Sequence, residues 1–417
     1  MTKDNVSKVV KEGLCCSCGV CKSICAKNAI SFRYGKERNT PQVDSKVCIN
    51  CGLCYDICPG KGIELQRLSE KLYSQQDEVE YNRYCGYYLN SYIAYSNNED
   101  IRFHSASGGV VTQFLLYLLR TKVIDGALVV RYRTDNPLEP EPFIATTEEE
   151  ILSSRGSKYL VLSYDNVLAD LELFDGNVVV VGLPCQIQGI RMLAEKKKKI
   201  RDKLVGYFAI YCSLTKTKHS MDYYLWHYGI TRDNIGRFSF RDDGCLGYMK
   251  VEDKSGNLIK KVKYEKYWHG THNFFVNSRC SLCIDHFGEL ADISFGDIHC
   301  EPYLHDTVGI SSIVTRNKGW DNLLKECSEV KDIFLQNVPL EEVAKSQPYS
   351  KIRKKGKGVK CAMILRALFR KANPIYDYEY DGIISFKTYV LETINMIMRS
   401  VGSHRTLWYI VRLLDKS

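Results

Sequence analysis

Two runs of four cysteines with one shared spacing lie near the start of this chain. Cys15, Cys18, Cys21 and Cys25 form the first run, and Cys48, Cys51, Cys54 and Cys58 form the second. Both read C-x2-C-x2-C-x3-C, and each member of the second run follows its counterpart by 33 positions. The short gaps let a tight loop present three sulfurs to one small object, and the fourth sulfur comes from elsewhere. The polypeptide must therefore wrap two compact inorganic centres, a stronger constraint on folding than any apolar periodicity in the chain. This is the spacing of a pair of [4Fe–4S] clusters in which the last cysteine of each run serves the other cluster. Cluster one is assigned to Cys15, Cys18, Cys21 and Cys58, and cluster two to Cys48, Cys51, Cys54 and Cys25. Cys16 is left over and is read as a non-ligand.

Gly19 and Gly52 occupy matching loop positions, where the backbone passes close to sulfur. Pro59 follows the second run as the bacterial ferredoxin pattern expects, whereas Ala26 follows the first. The repeat continues, with Cys25-Ala-Lys-Asn-Ala-Ile-Ser-Phe paralleling Cys58-Pro-Gly-Lys-Gly-Ile-Glu-Leu. Each half reads as a cluster loop followed by a short strand, giving a ferredoxin-like domain over residues 1–68. Zinc would usually want paired C-x2-C units without the third cysteine. Disulfides would want an oxidising compartment, and no export signal is read here.

A chain of 417 residues has room for further domains, and its 45% apolar content is that of a globular protein. No apolar run reaches spanning length. Eighteen cysteines without an export signal point to the cytoplasm and to metal ligation. The net charge of +9 does not indicate a nucleic-acid partner, because nine cations within residues 351–371, unaccompanied by any acid, account for all of it. That run reads as a solvated charge segment, or as a patch for an acidic partner or an anionic lipid surface. Lys196–Lys199 reads as a solvated helix end.

Between about residues 85 and 345 the pattern alternates between strands and helices. Strands are expected at 127–133, 177–182 and 205–212, with helices over 185–198 and 218–229. Sites in such an arrangement collect at strand C-terminal ends. Ser105-Ala-Ser-Gly-Gly precedes an amphipathic run, a helix start suited to phosphate or to simple capping. Gly182-Leu-Pro-Cys185 turns from strand to helix, which should lower the pKa of that thiol. Cys212 closes the third strand, and Cys280 and Cys283 form a further C-x2-C. These four thiols suffice for a third cluster, although a buried structural role for Cys185 is the alternative.

The ordered set Ser-Ala-Ser-Gly-Gly, Gly156-Ser-Lys-Tyr159, Gly-Leu-Pro-Cys-Gln, Tyr-Cys-Ser-Leu-Thr-Lys, Arg-Cys-x2-Cys-x-Asp and Ala-Asp-Ile-Ser-x-Gly-Asp resembles the coenzyme F420 hydrogenase/dehydrogenase beta-subunit family. The likeness covers roughly residues 80–345, and a preceding ferredoxin unit is a common companion. It implies FAD bound by the α/β domain, one further [4Fe–4S] cluster, and redox chemistry on a deazaflavin or, in other branches, a chlorophyll precursor. Some bacterial relatives accompany surface-polysaccharide genes. On this chain Ser107, Gly108 and Gly109 would approach the FAD phosphates, and Lys158 would lie by the flavin or its phosphates. Cys185, Cys212, Cys280 and Cys283 would hold the third cluster. Asp292 and Asp297 are caps or pocket residues, and Cys85, Cys245, Cys300, Cys327 and Cys361 are small buried hydrophobes.

The expected fold is α+β overall. A ferredoxin-like domain (1–68) is joined to an α/β flavin and iron–sulfur domain (69–345), followed by a basic helical C-terminal extension (346–417). Phe386, Tyr389, Val390, Ile394 and Ile397 share one helix face, for core packing, oligomer contact or peripheral membrane contact. Clusters carry single electrons and hydride chemistry moves two, so a flavin would link them. The reading is an oxidoreductase, with ferredoxin or another redox protein as partner and a small two-electron substrate. A non-catalytic electron-transfer subunit, a polysaccharide-pathway reductase and a binding module with structural cysteines are the rivals. No Ser-His-Asp or paired-carboxylate pattern indicates hydrolysis, and the nine histidines show no H-E-x-x-H.

Overall fold

Eight strands form the mixed sheet that carries the middle of the chain: β1 (Asn90–Ser96), β2 (Gly126–Tyr132), β3 (Pro140–Ala145), β4 (Val178–Gly182), β5 (Leu204–Ile210), β6 (Ile293–Asp297), β7 (Ser311–Thr315) and β8 (Ile333–Asn337). Their order is β8-β1-β7-β6-β5-β4-β2-β3. Strands β2, β4, β5 and β6 run parallel to one another, while β7 pairs antiparallel with both β6 and β1. β1 therefore points the same way as the parallel set. The C-terminal ends of five strands share one edge of the sheet, and the strand ends and following segments there carry Ser105–Gly109, Cys185, Cys212 and Asp297. The computed structural model describes residues 3–380 and 383–415.

The central strands are apolar on both faces because helices cover both. Val178, Val179 and Val180 are fully buried, each side chain contributing about 1.5–3 kcal/mol over an exposed one. Helix α1 (Val110–Arg120) covers one face, with Phe114 stacked on Phe208 at a centroid distance of 5.7 Å. Helix α2 (Pro184–Lys196) covers the other with Ile187, Ile190 and Leu193. The same core continues into the N-terminal region through Val20, Ile57 and Ile63. Gly189 permits this approach, since a Cβ there would sit 3.1 Å from the Val20 side chain and 3.4 Å from Pro59.

In the ferredoxin-like region, Gly19 and Gly52 take left-handed φ values of 91° and 82° and start the short helices Val20–Ser23 and Leu53–Asp56. The first half has its strand, Ile30–Tyr34, paired with Asn39–Val43. The second half does not: Gly62 leads into the helix Leu65–Tyr73. The reason is a segment from far down the chain. Ile375 N donates to Lys61 O at 2.8 Å, and the Asp377 carboxylate accepts from the Gln66 and Arg67 amides.

A feature absent from the sequence reading is an antiparallel three-stranded sheet (Ile235–Asp242, Tyr248–Asp253, Leu258–Lys263). It packs on an aromatic core containing Tyr223, Phe240, Tyr267 and Trp408. Helices α3 (Lys357–Leu368), α4 (Phe386–Ser403) and α5 (Trp408–Leu414) follow. The basic run is not simply solvated. Lys354 and Lys355 are 1% and 2% exposed, Lys355 pairs with Glu289 at 2.6 Å, and Arg353 pairs with buried Glu392. Buried cations need such partners, and those partners lie too far away in sequence to be seen there. Among the described residues, no helix is long and apolar enough to cross a membrane.

Candidate functional site

Cys15, Cys18, Cys21 and Cys58 line one small cavity whose remaining wall holds Cys16 and the apolar Val6, Val9 and Val20. Cys58 is supplied by the second run. Burial and the neighbouring Cys16 push the Cys15 thiol up to about 11. Burial, Cys16 and Cys15 push Cys58 up to about 12. Four thiolates cannot share such a space unless a cationic centre offsets their charge, which fits an iron cluster. Backbone amides already point at the sulfurs: Ser17 N donates to Cys15 Sγ at 3.3 Å, and the Gly60 and Lys61 amides donate to Cys58.

Cys25, Cys48, Cys51 and Cys54 form a second group, in which the Cys54 thiol is raised by burial and by the charges of Cys51, Cys25 and Cys48. Ala29 N donates to Cys25 Sγ at 3.3 Å. Cys51 is exposed and Cys25 and Cys48 are half-buried, so this group lies nearest solvent. It adjoins the first group through Cys54 and Cys21.

The third group assembles from three elements. Cys185 lies in the first turn of α2, Cys212 follows β5, and the 3-10 turn Ser278–Leu282 brings Cys280 and Cys283. Cys185 feels Cys283 and Cys212, and Cys212 feels Cys280 and Cys283. Thr215 donates its amide to Cys280 Sγ at 3.4 Å. The expected lowering of the Cys185 pKa is reversed. A hydrogen bond with Cys16 and burial push that thiol well above its ordinary value, outweighing the helix terminus.

Three further residues matter here, and the sequence reading gave none of them a role. Cys16 lies within hydrogen-bonding reach of both the Cys18 and Cys185 thiols, between the first and third groups. Its pKa falls well below the ordinary value through those two bonds, which outweigh burial. Lys354 is buried beside Cys283, Cys212 and Cys280, and its ammonium is favoured by their charge although burial opposes it. Arg279 is 5% exposed and donates from Nε to Gly60 O at 2.9 Å and from Nη2 to Tyr376 Oη at 2.6 Å. Arg279 stood in a visible motif beside Cys280, whereas nothing local distinguishes Lys354 from its basic neighbours.

The residues nominated for a flavin are engaged by protein groups. Ser107 Oγ donates to Ile310 O at 2.8 Å, and Gly108 N donates to Ser311 Oγ at 3.0 Å. A Cβ on Gly108 would lie 2.6 Å from Ala94 O, so strand packing alone demands glycine. Gly109 begins α1 at φ 74°. The Lys158 ammonium caps the carbonyls of Ser154, Arg155 and Gly156, while burial and Arg155 lower its pKa to about 7.

Asp292 accepts from Arg191 Nη2 at 2.7 Å and from Tyr207 N at 2.8 Å, a bracket between α2 and β5. Burial alone would raise the Asp297 carboxyl, but Arg241 at 2.7 Å and His299 hold it well below the ordinary range. Cys85, Cys327 and Cys361 are fully buried, while Cys245 and Cys300 are half-buried.

The fold and these thiol groups define an α+β protein with a ferredoxin-like iron–sulfur region joined to a large mixed sheet. Residues 14–62 match a 4Fe-4S dicluster domain. Residues 91–169 and 175–340 match the N-terminal and C-terminal domains of the coenzyme F420 hydrogenase/dehydrogenase beta subunit, and the chain belongs to that family.

It is similar to the coenzyme F420-dependent sulfite reductase of Methanocaldococcus jannaschii, at 27% identity over 82% of this chain and 49% of that protein. The coenzyme F420 hydrogenase subunit beta of Methanococcus voltae is 32% identical over 51% of this chain and 74% of its own. The chain thus spans about half the length of the sulfite reductase. A chain of the F420-reducing [NiFe] hydrogenase complex from Methanosarcina barkeri shares the fold, with a TM-score of 0.50 and 21% identity over 78% of this chain and 96% of that one.

Proposed function

We propose that this chain is an iron–sulfur flavoprotein oxidoreductase that passes electrons between a one-electron partner, such as a ferredoxin, and a two-electron substrate. The observation that carries the reading is the contiguity of three thiol groups. Cys51 is open to solvent, Cys54 adjoins Cys21, and Cys16 joins Cys18 to Cys185. On this reading Cys25, Cys48, Cys51 and Cys54 hold the cluster that meets the external partner. Cys15, Cys18, Cys21 and Cys58 hold the next, and Cys185, Cys212, Cys280 and Cys283 the innermost. Amides on Cys15, Cys25, Cys58 and Cys280 set the sulfur environment, a known lever on cluster potential.

FAD is proposed on family membership and on the shared edge of parallel strands, where ligands of open α/β sheets gather. Ser107, Gly108, Gly109 and Lys158 are its proposed neighbours, each exchanging a present protein contact for the cofactor. Bound there, a flavin supplies the conversion between one- and two-electron transfer. A deazaflavin is the substrate class the relatives' names support. Residues 1–68, 69–345 and 346–417 are proposed as the functional divisions, with the last closing over the first two. The protein is proposed to work in the cytoplasm.

A second reading is favoured by the M. voltae relative, which is named as a subunit: the clusters are here and the substrate site is on a partner. Anaerobic purification, flavin extraction and turnover of a deazaflavin by the isolated chain test both readings. Turnover supports the first, and reducible clusters without turnover support the second. A colourless protein with about one zinc sinks both.

A further inference from the structure

Helix α4 turns an apolar face to solvent rather than to the core. Phe386 is 82% exposed, Ile397 55% and Ile394 45%, with Val390 and Leu391 between them. Across the next turn α5 exposes Tyr409, Ile410, Leu413 and Leu414. The inner sides of both helices are accounted for: Met398, Val401, Trp408 and Val411 enter the aromatic core, and Glu392 pairs with Arg353. So many exposed aliphatic side chains on successive helices exceed the scattered apolar residues of an ordinary surface.

Charge decides what covers this face. Between Ile383 and Asp415 the two acidic residues are both buried, Glu392 at 4% and Asp415 at 8% exposure. The exposed charges on the same stretch are Lys387, Arg405 and Arg412, all positive. Two copies meeting through this face would bring like charges together. An anionic bilayer surface satisfies both features at once: aliphatic side chains enter the headgroup–acyl boundary while cations meet lipid phosphates.

We propose that the outer face of α4 and α5 docks the protein peripherally on anionic lipid, with Phe386, Ile394, Ile397 and Leu413 inserted and Lys387 and Arg405 at headgroup level. Trp408 is not an anchor, because it is buried against Tyr223 and Phe275. The docking is independent of the redox reading and is tested without it.

The experiment is flotation of the full chain with phosphatidylcholine vesicles containing or lacking phosphatidylglycerol. Wild type is expected to float with the anionic vesicles only and to be released by salt. Ile394→Glu with Ile397→Glu should cut the bound fraction about tenfold or more. A second pair, Lys387→Glu with Arg405→Glu, should weaken binding while leaving iron content unchanged. Absence of flotation overturns the proposal, as does equal binding to neutral vesicles or equal binding by the Ile variants. A concentration-dependent dimer in sedimentation velocity that the Ile variants dissociate would assign the face to a second copy and also overturn it.

Discussion

Arg279 donates from Nε to the Gly60 carbonyl at 2.9 Å, and its Nη2 reaches the Pro59 carbonyl at 3.0 Å. Gly60 lies two residues past Cys58, and Arg279 immediately precedes Cys280. One guanidinium thus joins the backbone of the first thiol group to that of the third. Its remaining Nη1 is buried with no hydrogen-bond partner, in the field of Cys283 and Cys16. An orphaned buried donor is costly, and sulfur of a bound cluster is the acceptor that would satisfy it.

Arg279→Gln removes these charge-assisted bonds and should lower stability by about 3 kcal/mol or more. Anaerobic denaturant titration reads this. Arg279→Lys should recover little, because one ammonium cannot serve two carbonyls and Tyr376 in the same plane. An unchanged midpoint would show that the contacts between the two regions do not depend on this residue.

Cys212→Ser should remove one cluster and leave two, taking iron from about twelve to about eight per chain. The bond with Cys16 and burial raise the Cys185 thiol, burial raises Cys212, and the charge of Cys283 adds to both, so losing one removes a ligand from a set built to be shared. Iron analysis with spin quantitation of the reduced protein measures the loss. Iron unchanged by the substitution would remove Cys212 from the ligand set.

Cys16→Ala should keep all the iron but shift the reduction potentials of the first and third clusters, since the sulfur lying between Cys18 and Cys185 is lost. Redox titration followed by electron paramagnetic resonance gives both potentials. Loss of iron would instead make Cys16 a ligand, and the first run would then offer five sulfurs.

His286 supplies a pH dependence. It is 2% exposed, and burial, with the Lys354 ammonium beside it, lowers its pKa to about 4. An unfolded histidine titrates near about 6.5. Between those values the unfolded chain binds a proton that the folded chain refuses, so stability falls as pH drops through that window, by up to about 3 kcal/mol. His286→Asn should flatten the slope of denaturation midpoint against pH between about 6.5 and 4. An identical slope in wild type and variant would assign the acid sensitivity to other groups.

Local chemistry was the legible part of this protein. The cysteine spacing is a short-range pattern, and Gly19 and Gly52 carry a conformational demand that any reader of a tight loop would expect. Strands β2, β4 and β5 announced themselves because burial on both faces leaves no polar alternation. Contacts over long sequence separations could not be seen. The second ferredoxin half reads as a strand until Ile375 occupies its edge, and Lys354 reads as one cation among nine until the fold buries it beside Cys212. Cys16 looked superfluous because its partner Cys185 lies 169 residues away. The three-stranded sheet at 235–263 was missed because its strands are mixed in polarity, with their packing decided by aromatic residues on distant helices.

The central claim is that three thiol groups hold three clusters in one contiguous path. It is tested most directly by iron and acid-labile sulfide analysis of the anaerobically purified full chain, with spin quantitation after reduction. The account predicts about twelve iron and twelve sulfide per chain and three interacting paramagnetic centres. About eight iron, with Cys185, Cys212, Cys280 and Cys283 all free to react with a thiol reagent, would contradict it.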